Sequence, residues 1–180
     1  MTFRISSKWL IISLFLISET ILVLLYSTQD DRNRRTIAFG GTVLGAAFAF
    51  YTFLQGLDER RTMNAHHFIE RWTQPDMENI RRVLLAVFEG RTFPASLLRS
   101  DPKAHEERFA LVGALNFLEA MSLAVLSGTA NEDLVKRFYG SVVEQSYAKL
   151  EDWIKNERRL DNEPREYCEF EKLVARWAGD

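Results

Sequence analysis

Hydrophobic and polar positions divide the chain into two unlike parts. From Trp9 to Tyr26 and again from Thr36 to Leu57 the sequence is almost continuously apolar, 18 and 22 residues long, and the second stretch carries no charge. About 20 predominantly apolar residues suffice to cross a bilayer as a helix, so both are read as spans. Between them, Ser27 to Arg35 is polar, charged and rich in turn formers, long enough only to reverse the chain at a surface. The chain therefore begins as a transmembrane hairpin, spans 9–26 and 36–57. The first span is too long for a signal-peptide core, lacks a small-residue cleavage site and is followed at once by the second, so it reads as an uncleaved anchor.

After Leu57 the pattern changes to amphipathic periodicity. Ala65, Phe68, Ile69 and Trp72 fall at i, i+3, i+4 and i+7 with no breaker before Pro75, which carries the second span onward as one helix over 36–72, about 55 Å at 1.5 Å per residue. A stripe of Met77, Ile80, Leu84, Val87 and Phe88 marks a helix ending near Gly90, and 91–100 reads as a loop. Asp101-Pro102 starts a helix whose segment Phe109 to Leu126 is apolar nearly all round, stopped by Gly128; this is the expected central helix. Asn131 caps a long helix striped by Val135, Phe138, Tyr139, Val142, Val143, Tyr147, Leu150, Trp153 and Ile154, and Asn162-Glu-Pro164 starts a last one carrying Tyr167, Phe170, Leu173, Val174 and Trp177. No run has strand periodicity. The expected fold class is all-α: a two-helix transmembrane hairpin, 1–57, followed by a cytoplasmic helical bundle, 58–180.

Charge refines this picture. The 180 residues hold 23 Lys and Arg against 25 Asp and Glu; from Asp58 onward the balance is 18 to 22, so the bundle is acidic, which argues against direct nucleic-acid binding. Arg4 and Lys8 before the first span, with Arg60, Arg61 and Arg71 after the second, outnumber Arg32, Arg34 and Arg35 in the turn, placing both termini in the cytoplasm. Cys168 is the single cysteine and can form no internal disulfide; it reads as a packing thiol.

Candidate chemistry is sparse. Glu19 lies near the middle of the first span, where a carboxylate is costly and faces a protein interior, a partner or water; Ser18, Thr20 or the second helix could bond it. Gly41, Gly45 and Ala49 line one face of the second span, for packing within the hairpin or between copies. Together these four are the candidate membrane-assembly residues. Asn116 and Glu119, three apart on the apolar central helix, are expected to point into the domain, with Arg81, Arg82, Arg158 or Arg159 as cations for the carboxylate. Read structurally, Arg81, Arg82, Asn116 and Glu119 form a buried polar network fixing helix register; read functionally, they line a small pocket. His66 and Glu70 share a helix face but make only two ligands, and His105-Glu106-Glu107 lacks the second histidine of a zinc-protease helix. No metal, cofactor or catalytic residue is expected, since nucleophile-elbow, phosphate-loop and dinucleotide signatures are absent.

Several of these residues occur in a recognisable arrangement: Phe68-Ile69-x-x-Trp72-x-x-Pro75, Arg81-Arg82, Leu115-Asn116-Phe117-Leu118-Glu119, and Pro164-x-x-Tyr167-x-x-Phe170 with Trp177. The chain resembles the bacterial domain of unknown function 4760 family, small proteins with one or two N-terminal membrane helices and a helical cytoplasmic domain. The resemblance implies a bacterial inner-membrane protein with the Asn-Glu helix as its hallmark, and no reaction. The expected function is that of a membrane-anchored interaction or regulatory protein, not an enzyme, acting through self-association or a cytoplasmic partner. The alternative is a membrane-disrupting effector of a bacterial anti-phage module, held inactive by a partner, by analogy of architecture alone.

Overall fold

The computed structural model describes residues 7–28, 31–93 and 105–179. All regular structure among them is helical: α1 (Ser7–Thr28), α2 (Asp31–Thr73), a single 3-10 turn (Pro75–Met77), α3 (Glu78–Phe88), α4 (His105–Leu126), α5 (Glu132–Asp161) and α6 (Cys168–Ala178). The chain divides into two compact units, Met1–Leu57 and Asp58–Asp180. α2 is one unbroken helix of 43 residues with its first part in one unit and its remainder in the other.

In the first unit most of the described large apolar side chains are exposed. Leu16 is 60%, Val23 65%, Phe39 72% and Phe50 63% exposed. Hydroxyls on these helices turn back on their own backbone: Ser18 donates to the Phe15 carbonyl at 2.8 Å, Thr20 to Leu16 at 2.8 Å, Thr42 to Ala38 at 3.0 Å and Thr52 to Ala49 at 2.9 Å. Such back-bonding satisfies a hydroxyl where the surroundings offer no partner. Phe15 and Phe48 stack, ring centroids 3.9 Å apart and 10° from parallel, and Leu22 Cδ1 lies 3.9 Å from where a Cβ on Gly41 would stand. A Cβ on Gly41 would therefore stand at ordinary contact distance, and one on Gly45 would meet nothing within 4 Å.

Two helices are long and apolar enough to cross a membrane: the Arg35–Thr73 portion of α2, with none of its apolar window buried, and α4, with 44% of its window buried. Ile11–Tyr26 in α1 is a shorter apolar stretch. α4 passes because it is the core helix of the second unit, with Leu111, Ala114, Leu115, Leu118 and Met121 fully buried. Its Gly113 admits α3: a Cβ there would stand 3.1 Å from Ile80 Cδ1. One turn along α4 from this contact, Phe68 and Trp72 of α2, Phe117 of α4 and Tyr139 of α5 form an aromatic cluster, with Trp72 to Phe117 at 5.4 Å and Phe68 to Phe117 at 5.9 Å. The Tyr139 hydroxyl is satisfied by the Phe68 carbonyl at 2.7 Å.

Helix ends differ from the sequence expectation in two places. Of the polar segment 27–35, residues 27–28 and 31–35 are helical, since α1 runs to Thr28 and α2 begins at Asp31. The last helix starts at Cys168 and not at Asn162-Pro164, because Asn162 (φ 54°) closes α5 in the left-handed conformation and Tyr167 (φ 56°) repeats that conformation just before α6. Asn131 caps α5 as its position suggested, its side chain accepting from Leu134 N at 3.0 Å, and Gly90 and Gly128 adopt the left-handed backbone that their helix stops require. The expected helix start at Asp101-Pro102 lies outside the described residues.

Candidate functional site

Glu119 is the residue that the second unit builds around, though not in the way its spacing suggested. Half-buried on α4, it accepts from Glu169 N at 3.1 Å and Phe170 N at 2.7 Å. These are the second and third amides of α6, which otherwise lack partners at a helix start. The residue preceding α6, Tyr167, gives no side-chain cap. A carboxylate from 50 residues earlier therefore caps α6, adding its charge where the helix dipole favours an anion.

The cations proposed for Glu119 are engaged elsewhere. Arg81 donates to the carbonyls of Trp72 and, at 3.1 Å, Gln74, tying α3 to the end of α2. Arg82 is exposed and donates to Asn79 Oδ1 at 3.1 Å. Arg158 donates to the Glu166 carbonyl and to Glu171 Oε2, both at 2.8 Å, and Arg159 to Asn156. Asn116 is exposed, so it and Glu119 do not both point inward. Three residues turn a helix by about 300°, enough here to put Glu119 against α6 and Asn116 outside. Glu119 and Arg81 thus make two separate ties, and Arg82 and Asn116 are surface positions, so the four do not form a single pocket.

Two charged ties escaped the sequence reading. Glu157, 2% exposed, pairs with Arg108 at 3.1 Å and joins α4 to α5. Its signal was available: Glu157 extends the buried series Val143, Leu150 and Ile154 at helical spacing, but lies among charged residues that read as a fraying end. Glu132 accepts from Trp177 Nε1 at 2.9 Å and from Arg176 at 2.7 Å, fastening the far end of α6 to the start of α5.

A third tie is pH-sensitive. Tyr147 donates to Glu171 Oε1 at 3.0 Å while Arg158 holds the other oxygen. The Arg158 bond keeps Glu171 below the ordinary carboxylate range despite partial burial, and burial, then the Glu171 bond and charge, pushes the Tyr147 phenol up to about 12 from 10.0. A carboxyl lowered in the folded state stabilises above its unfolded value, and this is lost as pH falls through the folded one; a phenol raised in the folded state stabilises below 10, and this is lost as pH climbs from 10 toward 12. Unfolding midpoints measured against pH are expected to fall on both sides. Glu171→Gln should flatten the acid limb, and Tyr147→Phe part of the alkaline limb, since burial also raises Tyr139 and Tyr167.

Among the described residues no group of three His, Cys, Asp or Glu side chains could hold a metal; His66, His67 and Glu70 are exposed. Cys168 opens α6, and burial raises its thiol. A surface groove of about 500 Å³ is lined by Asp58, Arg61, Glu132, Asp133 and Arg176, with Arg176 already paired to Glu132.

A family model matches residues 36–177, taking in α2 through nearly all of α6. The chain belongs to the family described as Domain of unknown function (DUF4760). No curated protein and no solved structure matches it. In this DUF4760 chain several of the residues that carried the resemblance meet one another in space: Arg81 bonds the Trp72 carbonyl, Trp72 packs on Phe117, and Glu119 bonds Phe170 N. Here they are joints between helices.

Proposed function

We propose that this chain is a membrane-anchored helical interaction protein of the bacterial inner membrane, both termini cytoplasmic, acting through self-association or a protein partner and not through catalysis or nucleic-acid binding. The observation that carries the reading is the first unit's outward apolar surface, with Ser18, Thr20, Thr42 and Thr52 bonded to their own helices. An apolar surface of this extent calls for an apolar solvent. The engagement of Glu119, Arg81 and Glu157 in helix-to-helix ties supports a structural rather than a catalytic role for the second unit.

The test is made on the full chain expressed in bacteria. The protein should stay with membranes washed in alkaline carbonate and be released by detergent. In a Cys168→Ser background, Asn33→Cys should react with an impermeant maleimide added to spheroplasts. Release by carbonate, or absence of Asn33→Cys labelling until the cells are lysed, would refute anchor or orientation respectively.

One observation favours a second reading, the effector. Glu19 Oε1 is shut away with no hydrogen-bond partner among the described residues, a need that neighbouring hairpins could meet by assembling. Collapse of membrane potential on induction, abolished by Glu19→Leu or Gly45→Leu, would support the effector; harmless expression would remove it.

A further inference from the structure

α4 is the core helix of its unit, yet one side of it is bare. Phe109 is 74% and Leu123 54% exposed; Asn116 and Ala120 are exposed and Val112 half-buried. At 3.6 residues per turn these five form a straight stripe, ended by exposed His105 and Ser127. Their order is symmetric in chemistry about Asn116. Seven residues away on either side stand the large apolar Phe109 and Leu123, four away Val112 and Ala120, and eleven away the polar His105 and Ser127.

We infer that this stripe is the contact between two copies of the chain, with their α4 helices antiparallel across a two-fold axis at Asn116. Such an isologous contact requires a self-complementary surface. Phe109 of each copy lies on Leu123 of the other, Val112 lies on Ala120, and the Asn116 carboxamides each donate to and accept from their mate. A polar residue central in an apolar seam fixes register. Against lipid the same amide would lose its hydrogen bonds, so Asn116 separates a second copy from the bilayer as occupant.

Area sets the strength. A stripe of 22 residues is about 33 Å long and roughly 10 Å wide, on the order of 330 Å² per copy, against about 800 Å² in a stable interface. The contact is weak between free molecules and forms when copies are confined, where effective concentration rises; in this the inference rests on the anchored reading.

Disulfide trapping in native membranes tests it, using the full chain with Cys168→Ser and a mild oxidant. Asn116→Cys should give a disulfide dimer, and so should Phe109→Cys co-expressed with Leu123→Cys, at yields at least tenfold above either of that pair alone. Leu123→Glu, at an exposed position, should suppress the Asn116→Cys dimer while leaving the melting temperature within a few degrees. Monomeric Asn116→Cys in carbonate-resistant membranes would overturn the inference and spare the anchor. Dimers of Phe109→Cys alone, or an Asn116→Cys disulfide to another protein, would also overturn it. A carbonate-soluble protein that still forms the Asn116→Cys dimer would refute the anchored reading alone.

Discussion

Replacing Arg108 by methionine is expected to lower the unfolding free energy by about 3 kcal/mol, because it removes the arginine paired with a carboxylate that faces the bundle interior. Glu157 is 2% exposed and its Oε2 lies 3.1 Å from Arg108 Nη2. Arg108 itself is imperfectly housed, with a buried Nε that has no hydrogen-bond partner among the described residues. The double replacement Arg108→Met, Glu157→Met should therefore recover most of the loss, since apolar side chains of similar length remove both the desolvated charges and the orphaned N–H. Denaturant unfolding of the full chain in detergent, followed by tryptophan fluorescence, measures each. Equal losses for the single and double variants would mean that packing, and not the uncompensated charge, sets the cost.

Glu119→Ala should cost about 2 kcal/mol, the loss of a charged acceptor shared by two amides. Glu119→Gln retains one acceptor oxygen but turns an NH₂ toward a donor, so roughly half that loss is expected. Location distinguishes this effect from a general weakening. Hydrogen exchange should accelerate at Glu169 N and Phe170 N, the amides that Glu119 bonds, well before it does in the centre of α4. Unchanged protection at these two positions would show that α6 holds its first turn by packing alone.

The elements were readable from periodicity because each bundle helix buries one stripe: Val135, Tyr139, Val143, Leu150 and Ile154 recur on α5, and Phe170, Leu173 and Trp177 on α6. The middle of α4, which carries the core residues Leu111, Ala114, Leu115, Leu118 and Met121, was readable for the opposite reason, as it is apolar almost all round. Ionic partners were not readable. Spacing along one helix says which residues share a face but not which neighbouring helix that face meets. Arg81 was one such case: it looks like a cation for Glu119 and instead satisfies the backbone where α2 ends. Glu119 was another, because its partners are main-chain amides, which every residue but proline possesses and no pattern marks. The left-handed turn at Tyr167 was hidden for a related reason, since an aromatic residue is an unusual choice for that backbone conformation.

The cap on α6 also bears on the order in which the protein can be made. An 11-residue helix is too short to persist alone in water, and what fixes this one comes from residues synthesised before it: Glu119 at its start, Glu132 at its end and Arg158 in between. While a ribosome is still reading the codons before Cys168, the α4 carboxylate has no amides to receive and the surface that will meet Phe170 and Trp177 lies open. Closure of the bundle therefore waits on the codons for Cys168–Ala178. A message cut short before those codons would yield a chain whose other apolar helices are complete and whose core lacks Phe170, Leu173 and Trp177, leaving apolar surface open to proteases.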